Sequence, residues 1–285
     1  MKNYPQIELR EWTLMGEGYN GQAYASSFHP GVMLKIVRRE MGRADAVEQE
    51  FYAARTAYET GLPVPQVYEI VRDGEDHGYL AEMIIGKKSI ARMCADEPHR
   101  ISELARLMAR CGHTLHNTPI ATNEYVRPMK EILTKALEST PLVSGARKKL
   151  LEEVVADMPE TGTCLHGDFQ PGNLILAQGR HYWIDLGWLS QGHYLMDLAH
   201  LYKMMVEDSD IPKVQELTHM TREQMLAFWD AFARAYTGTE DVEAFTRSLL
   251  PYSALDIIRT YHLHKHENPD FLAFLRSRIE SLLQS

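Results

Sequence analysis

The sequence predicts a bilobal α+β fold: a β-rich first lobe carrying one key helix, then a mainly helical second lobe. Three observations predict it. Strand-like segments fill roughly the first 85 residues, helical apolar spacing takes over from Ile101, and one short β insertion at residues 173–185 interrupts the helices. The 285 residues are enough for two lobes with cores of their own. A connector at about 82–88 divides them into an N-terminal lobe, 1–86, and a helical lobe, 87–285.

In chain order, "EWTLMG", "GQAYASSF" and "VMLKIV" read as three consecutive strands, the last two joined by the turn "HPG". In "ADAVEQEFYAARTAYETG", Val47, Phe51, Ala54 and Tyr58 recur at helical spacing, and Gly61 with "LPVP" ends the helix. "VPQVYEIV" and "HGYLAEMII" are further strands around the turn-like "RDGED". Ile101, Leu104, Met108, Cys111 and Leu115 then mark a long helix, and helical periods return at 146–156, 194–205, 221–236 and 241–265.

A hydrophobic content of 45% and a charged content of 24% are those of an ordinary globular protein. The net charge of −9 argues against a nucleic-acid partner, whose footprint is a basic face. Cys94, Cys111 and Cys164 lack CxxC spacing and read as reduced thiols of a cytoplasmic protein. With no apolar h-region at the start and no run of 18 apolar residues, the expectation is neither secretion nor a membrane span. The sequence sets no oligomeric state.

"GEGYNG" arranges Gly16, Gly18 and Gly21 as GxGxxG. A Rossmann turn must open a helix, but here strand-like residues follow, and no GKS or GKT is present for a Walker loop. What remains is a glycine hairpin, either plain or of the kind that covers nucleotide phosphates.

Lys35 interrupts the apolar strand "VMLKIV", either as an edge-strand lysine or with a task. On the next helix Glu50 lies in the apolar stripe beside Phe51, while Glu48 projects elsewhere, into solvent. A buried ammonium and a buried carboxylate are each costly alone and can satisfy one another. Beneath a glycine loop, such a pair positions the lysine for nucleotide phosphates.

"HGDFQPGN" gathers His166, Asp168 and Asn173 just ahead of a hairpin, "NLILAQGRHYWIDLG", with Gly179 at its tip. A three-residue loop, Gln178–Gly179–Arg180, pairs Ala177 with His181 and sets Asn173 opposite Asp185; a two-residue loop shifts this register by one. Opposed residues have Cβ atoms roughly 4.5–5.5 Å apart, so their oxygens can share a Mg²⁺ ion completed by nucleotide phosphates. Asp168 is then the carboxylate left to orient an alcohol and accept its proton. His166 reads as a buried histidine that holds the loop, and Asp197 as an anchor for the loop's backbone amides. Trp188 is placed to stack on a sugar or a cation, or belongs to the core.

Together these residues resemble the aminoglycoside phosphotransferase and choline kinase-like family, whose fold is protein-kinase-like. "HGDFQPGN" matches its HxDxxxxN element, "IDLG" its counterpart of the kinase DFG, and "DLA" at 197–199 recurs where the family has it. "VMLK", "VEQEF" and "GLPVPQVYEI" resemble its lysine strand, glutamate helix and Pro-rich entry to the next strand. The likeness runs from about Gly16 to about Tyr202. It implies Asp168 as catalytic base, Asn173 and Asp185 as Mg²⁺ ligands, and Lys35 paired with Glu50 against the α/β-phosphates. "LAEMIIG" resembles the hinge, which implies adenine contacts from the backbones of Glu82 and Ile84. Ala23 stands where valine usually covers the adenine, so ATP is the expected donor with GTP left open.

The function expected is that of a small-molecule kinase acting on a hydroxyl of an aminoglycoside, a sugar or an amino alcohol. A protein kinase needs an activation segment ending in an APE-like element, but helical residues follow Asp185 within about ten positions. A non-catalytic nucleotide-binding module is the third alternative. Acidic residues of the second lobe (Glu207, Asp208, Asp210, Glu216, Glu223, Asp230, Glu240, Asp241 and Glu243) suit a cationic acceptor or are solvated helix faces. "YHLHKHE" offers His262, His264 and His266 as a transition-metal motif or a polar helix end.

Overall fold

The computed structural model describes residues 4–17, 21–37, 44–264 and 268–284. The chain forms two compact units, Met1–Lys88 with Leu174–Leu189, and Ser89–Asn173 with Ser190–Ser285. The division is therefore not a single cut in the sequence, because the 174–189 hairpin groups with the first unit.

In the first unit, β1 (Thr13–Glu17), β2 (Gly21–Ala25), β3 (Val32–Val37), β4 (Val67–Asp73) and β5 (Asp76–Glu82) form an antiparallel sheet in the order β1-β2-β3-β5-β4. Helix α1 (Ala44–Glu59) covers one face. Strand alternation sorts the core. Val37, Ile70, Tyr79 and Ala81 pack with Val47 and Phe51 of α1, whereas Trp12, Tyr24, Leu34, Ile36 and Val71 make a second cluster. Tyr58 departs from the expected stripe and is 43% exposed. Towards the end of α1 the buried track drifts to Ala53 and Ala57, leaving the phenol at its outer edge.

Gly21 has a steric reason. A Cβ there would lie 2.3 Å from the Ile36 carbonyl oxygen, so only glycine lets β2 approach β3 at this point. Gly16 lies in β1, and Gly18 falls outside the described residues.

The second unit is mostly helical. It holds α2 (Ile90–Asp96), α3 (Ile101–His116), α4 (Met129–Ser139), α5 (Gly145–Asp157), α6 (Leu195–Tyr202), α7 (Pro212–Thr218), α8 (Arg222–Thr237), α9 (Val242–His264) and α10 (Pro269–Leu282). A π-turn, Lys203–Glu207, extends α6. Helix α8 starts at a capping box built by Thr221 and Gln224 and stops at Gly238 in the left-handed region. Helices α2, α4, α7 and α10 are not marked in the sequence; α2 and α7 are only seven residues long, while α4 does bury Met129, Leu133, Ala136 and Leu137 at helical spacing. Among the described residues no helix is long and apolar enough to cross a membrane.

Candidate functional site

Lys35 shares the α1 side of the sheet with Val37, and Glu50 points back at it from α1. The Lys35 ammonium donates to Glu50 Oε1 at 2.5 Å and to Asp185 Oδ1 at 2.6 Å. Register places Tyr79 directly across from Lys35, and its hydroxyl donates to the same Glu50 oxygen at 3.0 Å. Burial opposes charge on the lysine, but Glu50 and Asp185 outweigh it and hold its pKa well above the ordinary value. Burial, reinforced by Glu50, likewise pushes the Tyr79 phenol well up, so it stays a neutral donor. Glu48 is not simply solvated: it is half-buried and accepts a hydrogen bond from the Tyr4 hydroxyl.

Asp185 reaches this cluster by a route that the hairpin reading did not foresee. Strands β9 (Leu174–Ala177) and β10 (Arg180–Trp183) follow two-residue strands at Lys88–Ser89 (β6), Arg127–Pro128 (β7) and Cys164–Leu165 (β8). Their ladder pairs Ala177 with Arg180 and Leu174 with Trp183, so the loop is the two residues Gln178–Gly179, both with positive φ. The three-residue loop and the Ala177–His181 pairing are thus corrected, and direct opposition of Asn173 and Asp185 no longer follows from register. Asp185 leaves the extended conformation altogether, with φ 58° and ψ 56°. The turn behind it, Leu186–Trp188, packs along α1, where Gln49 Nε2 donates to the Gly187 carbonyl at 3.2 Å. Trp188 is half-buried in that turn. At the end of β5, the Glu82 amide donates to the Gln66 carbonyl at 2.7 Å.

The loop 166–173 belongs to the second unit and is held from several sides. Asp197, 1% exposed, accepts from the amides of His166 at 2.7 Å and Gly167 at 2.9 Å, and from His116 Nε2 at 3.0 Å. His166 is fully buried, and its Nδ1 accepts from the Asp168 amide at 3.3 Å. Phe169, also fully buried, lies so near Gly112 of α3 that a Cβ there would sit 2.9 Å from its ring. A two-residue strand, Ser190–Gln191 (β11), joins β8 to β7 just ahead of the loop.

The Asp168 carboxylate, 23% exposed, accepts from four donor contacts. Asn173 Nδ2 lies 2.8 Å from Oδ2, Gln170 Nε2 lies 3.2 and 3.3 Å from the two oxygens, and His200 Nε2 lies 3.0 Å from Oδ1. Burial opposes ionisation, but the His200 contact and charge, His166 and Asn173 outweigh it and hold the carboxyl well below its ordinary range. Behind His200, its Nδ1 meets Asp256 Oδ2 at 3.0 Å. Arg259 binds Asp256 Oδ1 at 2.7 Å and donates to the Gly167 carbonyl at 2.7 Å, closing a ring of contacts back to the loop.

The sequence pattern of the phosphotransferase enzyme family, APH, matches residues 12–245, a stretch that includes every residue of both clusters except Asp256 and Arg259. The chain belongs to this family. It is a small-molecule phosphotransferase with a protein-kinase-like fold. Solved structures agree on that fold at low identity. A choline/ethanolamine kinase family protein from Mesorhizobium loti is 16% identical, with TM-score 0.57 over 96% of this chain and 88% of its own. Amicoumacin kinase hAmiN is 16% identical, with TM-score 0.59 over 99% and 90%. Aminoglycoside phosphotransferase APH(3'')-Id from Streptomyces rimosus is 20% identical, with TM-score 0.53 over 85% and 92%. No curated protein sequence matches the chain.

In this phosphotransferase the acidic residues of the helical unit are largely neutralised where they stand. Asp208 pairs with Lys203 at 3.0 Å and Arg278 at 2.7 Å, and Glu207 with Arg278 at 3.6 Å. Glu216 pairs with Lys213, Asp230 and Glu240 with Arg234, and Glu243 with Arg247. His262 meets Ser139 at 3.1 Å, His266 lies outside the described residues, and no cluster of three His, Cys, Asp or Glu among those described is arranged for a metal. The three cysteines are free and buried, with burial pushing their thiols up to about 12, 11 and 12.

Sequence reasoning missed Tyr79, Gln170, His200, Asp256 and Arg259. A signal existed for most of them. His200 in "MDLAHLY" and Asp256 with Arg259 in "ALDIIRTY" are polar residues in apolar helices, the same misfit that singled out Lys35 and Glu50.

Proposed function

We propose that this phosphotransferase moves the γ-phosphoryl group of a nucleoside triphosphate, ATP with GTP as the alternative, to a hydroxyl of a small molecule of the aminoglycoside, sugar or amino alcohol class. The observation that carries the reading is the state of Asp168: an ionised, partly exposed carboxylate on a loop whose backbone is clamped by Asp197 and Arg259. Such a group orients an acceptor hydroxyl and takes its proton as the P–O bond forms. Lys35, fixed by Glu50, serves the α/β-phosphates, with Gly16 of β1 and Gly21 of β2 on the strands that cover them and the Glu82 and Ile84 backbones on the adenine. The relatives support nucleotide use, since hAmiN was solved with AMP-PNP, Ca²⁺ and amicoumacin, and aminoglycoside 2'-phosphotransferase-IIIa with GDP.

The donor set suits Mg²⁺. Asn173 donates through Nδ2 to the Asp168 carbonyl at 2.9 Å and carboxylate at 2.8 Å, so its amide oxygen is the atom left for a cation. Asp185 adds a carboxylate that is 36% exposed. Oxygen donors of this kind, completed by phosphate oxygens, are what Mg²⁺ takes. When bound, the ion neutralises charge on the transferring phosphoryl group. His166 and Asp197 support the loop, and Trp188 is a candidate acceptor contact.

A screen of ADP release with MgATP over aminoglycosides, sugars, amino alcohols and nucleosides tests the reading. Stimulation by one class is the expected result. ATP binding with no stimulation by any hydroxyl compound would favour a non-catalytic nucleotide-binding module instead.

A further inference from the structure

His200 lies outside the residues that the proposed chemistry uses, and its surroundings are unusual. Both ring nitrogens face carboxylate oxygens, Nε2 towards Asp168 at 3.0 Å and Nδ1 towards Asp256 at 3.0 Å. A carboxylate only accepts, so each nitrogen must carry a proton, and the ring is an imidazolium. Its side chain is 12% exposed and Asp256 is fully buried. Burial works against the charge, but Asp256 and Asp168 outweigh it and raise the His200 pKa to about 9.

We propose that His200, clamped as an imidazolium between Asp256 and Asp168, is a positioning residue that fixes the plane and rotamer of the Asp168 carboxylate for phosphoryl transfer. The inference rests on Asp168 being the base. Without His200, Asp168 keeps Asn173 on Oδ2 and the long, divided contact from Gln170, and its other oxygen loses its ionic donor. The support behind His200 is rigid. Arg259, itself buried, holds Asp256 through Nε at 3.2 Å and through its terminal nitrogen at 2.7 Å, and the same guanidinium grips the Gly167 carbonyl. One buried network therefore orients both the backbone and the side chain of the reacting loop, and a misplaced base loses rate more than binding.

The groups that face the ring from each element are few. The loop contributes Asp168, with His166 close behind, and α9 contributes Asp256 and Arg259. From the imidazole's own helical segment, Lys203 lies near Asp256 and is itself tied to Asp208. The charge on His200 is therefore set by two acids, one at each ring nitrogen, and balanced by two cations around Asp256.

The test combines rate and spectroscopy on the full chain, with MgATP as donor and water as the acceptor, read as ADP release. His200→Leu is expected to lower kcat about 10–100-fold with KM for MgATP within about twofold. His200→Gln, whose amide can still donate to Asp168, should recover most of that loss. In ¹⁵N-histidine-labelled protein, the signals that disappear in His200→Gln should report both nitrogens protonated at pH 7.5, and Asp168→Asn should lower their titration point. A His200→Leu enzyme with unchanged kcat, a glutamine variant no better than leucine at equal thermal stability, or a neutral His200 at pH 7.5 would each overturn the proposal. Asp168→Asn, run alongside, separates the two readings. If it retains the full rate, the base assignment has failed; if it is inactive while His200→Leu is not, only the His200 proposal has.

Discussion

Replacing Glu50 by Gln probes the ion pair at the centre of the first unit. The Lys35 and Glu50 side chains are 12% and 11% exposed and in direct contact. At an effective dielectric near 20, unit charges about 3 Å apart attract by about 5 kcal/mol, and desolvation takes back a large part of it. Glutamine keeps the volume and an acceptor for Tyr79 but removes the charge. Lys35 then still has Asp185 at 2.6 Å, a carboxylate 36% exposed and therefore a better-solvated partner. The expected cost of Glu50→Gln is about 2–3 kcal/mol, below the ~3–5 kcal/mol for stranding a buried charge outright. Lys35→Met should be the worse change, because it leaves Glu50 without a cation in a cluster that also holds Asp185. The double variant removes both buried charges and should fall short of the sum by about 1.5–3 kcal/mol. Urea unfolding gives the global numbers, and hydrogen exchange of the β3 and α1 amides gives the local ones in a chain of two units. Singles that add within about 0.5 kcal/mol, or Glu50→Gln costing more than Lys35→Met, would refute the pairing.

Asp168→Asn should leave nucleotide binding nearly intact while cutting acceptor-stimulated ADP release by about 10²–10⁴; an unchanged rate would remove Asp168 from the chemistry. The His200 network gives the stability a pH dependence with a defined sign. Its pKa is raised in the folded state, so the stabilisation is complete below the unfolded value near 6.5 and is lost as pH rises through about 9. Thermal midpoints should therefore fall between these values, and His200→Gln should flatten that fall. Gly21→Ala forces a Cβ to within 2.3 Å of the Ile36 carbonyl and should cost more than about 2 kcal/mol by denaturant titration; a neutral substitution would mean the β2–β3 spacing is softer than its register indicates.

Much of this protein is legible in its sequence because the signals are local. The apolar run "VMLKIV" and the helical spacing in "VEQEFYAA" mark the strand and the helix on which Lys35 and Glu50 lie, and each residue stood out as a charge among apolar neighbours. Hairpin register was less legible. "AQGR" is compatible with a two- or a three-residue loop, and only the backbone chose, with Gln178 and Gly179 both at positive φ. That choice breaks the simple opposition of Asn173 and Asp185 and leaves Asp185 in a left-handed turn bonded to Lys35.

What the sequence determined by itself was the inventory: a strand-rich start, a helical remainder, and the polar residues that apolar surroundings would not tolerate without partners. It also paired Lys35 with Glu50 and set Asp197 against the loop amides; tertiary structure decided the remaining partners. Tyr79 joins Glu50 through cross-strand register, and His200, 32 positions beyond Asp168 and 56 before Asp256, joins two carboxylates from separate elements. The physical reason is that a buried charge advertises its need in local sequence, through the cost of desolvation, whereas the group that meets the need is chosen by packing between segments far apart in the chain.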